Sequence, residues 1–273
     1  MFDSIIAALR AQRPLVHCIT NYVTANDCAN VLLACGASPI MADDISEVEE
    51  ITALSRSLVL NLGTLHQQTV PAMRAAARRA QALGHPIVLD PVGVGASIYR
   101  TQTAKALLTE ANPTVVRGNI SEIKALAYGM GATGGVDAAV SDRVTAEGLA
   151  DAVAFAKAFA LNHGCVVAIT GEIDIVADAS RAFCIYNGSA RMRLVTGAGC
   201  QLSALVAAYV AAAPENALTA AAAAVCTMGL CGELAERRMT VHDGSGSYRI
   251  YLMDAVSNLT PAQLERGARY EVR

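Results

Sequence analysis

"PTVVRGNISEIKAL", residues 113–126, reads as a strand, a turn and the start of a helix. Its apolar run is brief and rich in valine, it ends in Arg117, Gly118 and Asn119, and a helix opens directly behind it. The unit recurs along the chain. "PLVHCIT" (14–20), "SLVLNLG" (57–63), "HPIVLDPV" (85–92) and "CVVAITG" (165–171) are equally short, rich in Val, Ile and Leu, and closed by polar residues or glycine. Between them lie helical stretches such as "TANDCANVLLACGA", "QTVPAMRAAARRAQALG" and "TAEGLADAVAFAKAFALNHG". Those ending at Gly36, Gly84 and Gly164 carry the glycine stop common at helix C-termini. Continuous apolar strands joined by helices predict an α/β fold, a mostly parallel central sheet with helices on both faces. After Gly171, "EIDIVAD" and "AFCIYN" read as an antiparallel hairpin. With no internal repeat, low-complexity linker or break in composition, residues 1–273 read as one domain.

In such sheets, ligands gather beyond the carboxyl ends of the strands. Here those ends carry Thr20 and Asn21, Asn61 and Gly63, Asp90, Arg117 and Asn119, and Thr170 and Gly171. Strand ends are commonly polar, but a series with Asp, Arg and Thr, followed by an anion-type loop, is more informative. That loop is "VTGAGCQLSALVAAYV" (195–210). Gly197, Ala198 and Gly199 would leave backbone N–H groups open at a helix N-terminus, a phosphate cradle. Cys200 follows, where a phosphate-transferring enzyme more usually keeps a carboxylate. Three readings stand at this point: an anion site with a thiol base, a thiol nucleophile, or a tight turn.

Each motif also has a plain structural reading. In "VLDPVGVGAS", Asp90 either caps a turn or helps to hold Mg²⁺ through its water shell. Asn119 and Glu122 share a first helical turn, as a capping box or as a pair whose Glu122 orients metal-bound water near a nucleotide. The cap does not account for Arg117 just ahead of it, a residue suited to phosphate. Thr170 and Gly171 could approach a nucleotide phosphate closely, a weak signal alone. "GMGATG" (129–134) matches a dinucleotide fingerprint by letters but follows a helical run, not a strand. There is no phosphate-binding G-x-x-x-x-G-K-[ST] loop, and the histidines at 17, 66, 85, 163 and 242 lack zinc-ligand spacing.

Composition narrows the class. A net charge of −3 with 16% charged residues leaves no electrostatic footprint for nucleic acid or a polybasic membrane contact. Hydrophobic residues are 53% and aromatics only 4%, which suits closely packed helices and leaves room for a buried subunit interface. The eight cysteines form no C-x-x-C pair and mostly sit in apolar runs, pointing to a reducing, cytoplasmic setting. "MFDSIIAALRAQRP" reads as a first helix and a poor signal peptide. The long apolar tract from Leu202 is cut by Pro214, Glu215 and Asn216 into two buried helices.

Taken in order, "HCITNYVTANDCANVLLACGASPIMADDISEVEEI", "VLDPVGVGASIYR", "VVRGNISEI", "AITGEID" and "VTGAGCQLSA" resemble the hydroxyethylthiazole kinase family of the ribokinase-like superfamily. The resemblance covers nearly the whole chain. It implies phosphorylation of the hydroxyl of 4-methyl-5-(2-hydroxyethyl)thiazole with ATP and Mg²⁺, in thiamine biosynthesis or salvage. It implies that Met41 contacts the thiazole, that Asn21 lies in the same pocket, and that Gly197 is a substrate-contacting position of the anion loop. Arg117 and Thr170 correspond to ATP contacts, Asp90 and Glu122 to the metal and phosphate environment, and Cys200 to the proposed base. The superfamily at large has Asp at that last place, while thiazole kinases often have Cys. The resemblance further implies a homotrimer with active sites between subunits, since the chain has no separate lid domain. The segment 129–142 reads as a glycine-rich loop with freedom to move.

The expected chemistry is an anion hole at Gly197–Cys200, with the helix N-terminus lowering the thiol pKa enough for a modest base role. The rival readings are another ribokinase-like kinase, such as a hydroxymethylpyrimidine kinase; a Cys-dependent acyl-transfer enzyme, which needs a histidine beside Cys200; and a binding protein without turnover.

Overall fold

The computed structural model describes residues 2–129 and 144–273. The glycine-rich loop expected at 129–142 lies, from residue 130 on, outside the described residues. The strands are β1 (Leu15–Ile19), β2 (Ser38–Ile40), β3 (Ser57–Asn61), β4 (Ile87–Asp90), β5 (Val115–Asn119), β6 (Val166–Thr170), β7 (Asp174–Ala177), β8 (Ala182–Ile185) and β9 (Tyr270–Val272). They form one sheet in the order β2-β1-β3-β4-β5-β6-β7-β8-β9. Pairing is parallel from β2 through β6 and antiparallel from β6 to β9.

The helices are α1 (Phe2–Gln12), α2 (Ala25–Cys35), α3 (Val48–Leu54), α4 (Thr69–Leu83), α5 (Ile98–Glu110), α6 (Ile120–Tyr128), α7 (Leu149–His163), α8 (Ala198–Ala212), α9 (Ala217–Arg238), α10 (Ser245–Asn258) and α11 (Pro261–Gly267). Side chains alternate across a strand, so each central strand feeds two cores. Val59, Val88, Val115, Val166 and Ala168 pack with α1, α2 and α8 to α11. Leu58, Leu60, Ile87, Leu89, Val116, Val167 and Ile169 pack with α3 to α7. Both faces are therefore buried, which is why the strands read as unbroken apolar runs. The expected hairpin is β7–β8. The two apolar helices are α8 and α9, joined by a 3₁₀ turn at Pro214–Asn216. By length and composition α9 could cross a bilayer, but 83% of its apolar window is buried inside the protein.

Strand order places the site. From β1 the chain moves to β2 on one side, then crosses back to β3 on the other. The connection after β1 runs into α2 on one core face, and α3 and α4 lie on the opposite face. The loops leaving β1 and β3 therefore diverge, opening a crevice at the carboxyl ends of these strands.

Candidate active site

Asn21 and Asn61 stand at that crevice, both buried. The Asn21 amide nitrogen donates to Asn61 Oδ1 at 3.0 Å and to Cys200 Sγ at 3.2 Å. Its oxygen accepts from the Thr24 hydroxyl at 3.0 Å and the Thr24 backbone N–H at 3.1 Å. Asn61 pairs in register with Asp90 on β4 and donates to its Oδ2 at 2.8 Å. Ser203, on α8, donates to the same oxygen at 2.7 Å. One chain of hydrogen bonds thus runs from the thiol to the Asp90 carboxylate.

Asp90 is fully buried, and burial raises its pKa against the opposing pull of Arg117, Ser203 and Asn61. Its Oδ1 is buried with no hydrogen-bond partner among the described residues. Arg117 Nη1 lies 3.7 Å from Asp90 Oδ2, and Nη2 donates to Thr170 Oγ1 at 2.7 Å. Asn119 and Thr170 are themselves in register across β5 and β6. A buried carboxylate is costly to keep charged, and one nearby guanidinium offsets that cost only in part.

Glu122 shows both readings that the sequence allowed. The capping box with Asn119 is formed: Asn119 Oδ1 accepts from the Glu122 N–H at 2.8 Å, and Glu122 Oε2 accepts from the Asn119 N–H at 2.9 Å. Its other oxygen accepts from the Gly93 N–H at 3.0 Å, tying the Asp90–Gly95 loop to α6. Burial, then the charge of Asp90, push its pKa up to about 7.

The glycine loop caps α8. Gly197 is the N-cap in the left-handed region (φ 83°), and a Cβ there would overlap Thr24 Cγ2. A Cβ on Gly199 would come within 2.6 Å of Arg117 Nη1, so the guanidinium rests against the first turn of α8. The Ala198 N–H turns back to the Val195 carbonyl at 3.3 Å. The N–H groups of Gly199 and Cys200 have no acceptor among the described residues, leaving two open donors at the positive end of the helix. One expectation is overturned here. The net shift of the Cys200 pKa is upward, not downward: burial raises it, and the charge of Asp90 raises it further. Among the described residues no histidine is hydrogen-bonded to the thiol as acyl transfer would need, and the ring of His17, the histidine in the same motif as Asn21, is engaged by Thr52 and Ala42.

A cleft of about 690 Å³ opens alongside, walled by Arg117, Asn119, Thr170 and Asp174 on the sheet and by Ala198 and Gly199 on α8. Its size suits a bound cofactor. Asn21, Met41, Gly197 and Cys200 are not among its walls. Gly199 lines the cleft, and the network from Cys200 and Asn21 to Asp90 lies beside it, outside those walls. Met41, at the end of β2, is 37% exposed and stands apart from the hydrogen-bonded network. Its loop is tied to the Asn21 loop through Tyr22, whose hydroxyl donates to Asp43 at 2.8 Å. Among the described residues, no group of three or more His, Cys, Asp or Glu is arranged to hold a metal.

The sequence model of the hydroxyethylthiazole kinase family matches residues 6–262. The chain belongs to the hydroxyethylthiazole kinase family. It is 55% identical over 263 residues to the hydroxyethylthiazole kinase of Clostridium acetobutylicum, with 96% of each chain covered. The solved structure of a hydroxyethylthiazole kinase protein from Pyrococcus horikoshii OT3 superposes with a TM-score of 0.88 at 34% identity, covering 100% of this chain and 98% of that one. A ribokinase-like superfamily protein of Enterococcus faecalis V583, at 13% identity, shares the fold alone, with a TM-score of 0.58 over 92% of this chain and 95% of that one. The ribokinase-like α/β architecture inferred from the sequence is the one observed.

Within this kinase family frame, three residues in or beside the network were given no role from sequence. Asn61 closes a strand as Asp90 does, but only the register puts their side chains together. Ser203 lies one helical turn after Cys200, a spacing that places both on one side of α8. Arg100, which closes the Asp90 motif and was given no role there, donates to the carbonyls of Leu62, Gly63 and Val92 and so clamps the β3 loop to the β4 loop.

Proposed function

We propose that this chain transfers the γ-phosphoryl group of ATP to the hydroxyl of 4-methyl-5-(2-hydroxyethyl)thiazole, serving thiamine biosynthesis or salvage in the cytoplasm. The observation that carries the reading is the continuous network from Asn21 and Cys200 to Asp90, Arg117 and Thr170, laid across the open N-terminus of α8. Arg117 and Thr170 hold the ATP phosphates at the cleft. The Gly199 and Cys200 amides face the charge that develops on the transferred group, where preorganised donors are most effective. Gly197, Asn21 and Met41 form the alcohol side. In the transfer, the substrate oxygen bonds to phosphorus, the bond from phosphorus to the ADP oxygen breaks, and the hydroxyl proton leaves to Cys200 or to a phosphate oxygen.

The residues present fit Mg²⁺. Asp90 offers a buried carboxylate oxygen without a partner. Glu122 has both oxygens on backbone amides, so its part is to order the cation's water shell. Mg²⁺ needs only one or two protein carboxylates beside the phosphates. When bound, it supplies charge neutralisation at the phosphate oxygens. The whole chain acts as one kinase domain, and we propose a homotrimer in which a neighbouring subunit closes the alcohol side.

The test is ADP release by purified protein with ATP and a panel of thiazole and pyrimidine alcohols, with and without Mg²⁺. Turnover of hydroxyethylthiazole that needs Mg²⁺ is the expected result. Preference for a pyrimidine alcohol, or no turnover at saturating ATP, would overturn the assignment.

A further inference from the structure

His17 lies in the same motif as Asn21 yet takes no part in the network around Asp90. Its imidazole is fully buried on β1, and both ring nitrogens are engaged. Nε2 lies 2.8 Å from the carbonyl oxygen of Ala42, and Nδ1 lies 2.9 Å from Thr52 Oγ1. A carbonyl can only accept, so the ring proton sits on Nε2 and Nδ1 accepts from the Thr52 hydroxyl. Burial lowers the pKa of the ring, consistent with this neutral form.

Ala42 directly follows Met41, in the loop that leaves β2. β2 has three residues, lies at the sheet edge and pairs with β1, with His17 opposite Ile40. So short an edge strand fixes a following loop poorly. On its outer side the loop is held by the bond from Tyr22 to Asp43, and Tyr22 is 65% exposed. The desolvated tie of the loop to the sheet is the bond from His17 to Ala42.

We propose that His17 is a positioning residue for the alcohol pocket: by fixing the Ala42 carbonyl it sets the place of Met41 and hence the affinity for the thiazole alcohol, without acting in phosphoryl transfer. The proposal rests on the reading that Met41 contacts the thiazole. Thr52 serves it in turn, by donating to Nδ1 and holding the ring in the plane that points its proton at Ala42.

Initial rates on the full chain test it, varying the thiazole alcohol at saturating Mg·ATP and then the reverse. His17→Asn keeps a polar group near Nδ1 but cannot reach Ala42. It should raise the thiazole KM about tenfold while kcat and the ATP KM stay within about threefold. His17→Gln places an amide N–H near the Nε2 position and should return the thiazole KM to within about threefold of the native value. Met41→Ala is the control for the underlying reading. If it leaves the thiazole KM unchanged, the Met41 contact fails and the proposal with it. If Met41→Ala raises that KM and folded His17→Asn does not, the tie from His17 is refuted while the Met41 contact stands. An equal fall in kcat and rise in both KM values for His17→Asn would also refute it. Should His17→Asn not fold, Thr52→Val removes only the hydroxyl that holds the ring's orientation. A selective rise in the thiazole KM then supports the proposal, and unchanged kinetics overturn it.

Discussion

Cys200 sits where a thiol usually ionises readily, in the first turn of a helix, and the surroundings reverse that tendency. Burial and the nearby Asp90 charge raise its pKa, and the pull of Thr24, Asn61 and Arg117 offsets this only in part. A thiol held protonated is a weak base, so most of the chemistry falls to the backbone donors beside it. Cys200→Ala should lower kcat by about tenfold, less than the hundredfold or more expected when a committed base is removed. Cys200→Asp should stay active, because a carboxylate there is ionised at neutral pH. A folded, ATP-binding but inactive Cys200→Asp protein would exclude the base role. Glu122 gives a second prediction, with a definite sign. Its pKa is about 7 when folded against an ordinary value of 4.5, so the folded state holds the extra proton between these values. Its stabilising contribution is complete below about pH 4.5 and is lost as pH rises through 7. Glu122→Gln cannot titrate. Without metal, the variant should therefore gain on the native protein between pH 5 and pH 8, by on the order of 2–3 kcal/mol. Denaturant melts at the two pH values measure this, and an equal difference at both would show that Glu122 keeps an ordinary pKa.

The N-terminus of α8 lies between the cleft and the Asn21 network, and its glycines serve different ends. Gly197 needs its freedom twice: its φ is positive, and Thr24 fills the space where a side chain would stand. Gly197→Ala should destabilise the protein by about 1–3 kcal/mol and lower kcat/KM, because Thr24, displaced, no longer sets Asn21. Adding Thr24→Ser removes the colliding methyl and keeps the hydroxyl. It should restore part of both losses, leaving the backbone strain, and full additivity of the two changes would contradict this coupling. Gly199 has no such strain; it is small because Arg117 lies against it. The sequence announces the central strands and α8 clearly, since strands buried on both faces leave unbroken Val-rich runs. It is silent on β2 and β9. These are three-residue edge strands, β2 with Pro39 inside it, too short to show a period and tolerant of proline because they lie at the edge. The site divides the same way. Asp90, Arg117 and Thr170 are legible as strand ends, whereas the bond from Asn61 to Asp90 and the upward shift of Cys200 depend on register and burial, which only the assembled sheet determines.

At the scale of the whole molecule the cleft and the proposed alcohol side are unequal. The cleft proposed for the nucleotide has walls from both the sheet and the helices of one chain. The alcohol side is bounded by loops whose apolar residues face solvent: Tyr22 is 65% exposed, Val23 67%, Met41 37% and Ile45 54%. Scattered exposed apolar residues are ordinary, but these four belong to the loops after β1 and β2, and the two loops are joined by the bond from Tyr22 to Asp43. A second chain covering them would bury this surface and exclude water from the hydroxyl under attack, the service a lid performs elsewhere. The proposed homotrimer therefore makes a prediction that separates binding from turnover. Sedimentation equilibrium should give a species of three chains. Val23→Glu sets a charge into the contact and should shift the protein to monomers, at a cost that a desolvated, unpaired carboxylate makes large. Those monomers should still bind ATP, because Arg117, Thr170 and the α8 amides come from one chain, while turnover of the thiazole alcohol falls steeply. Raising the concentration of a partly dissociated variant should recover activity in step with the trimer fraction. A monomer that turns over the alcohol at the full native rate would refute the shared site and leave the pocket to one chain alone.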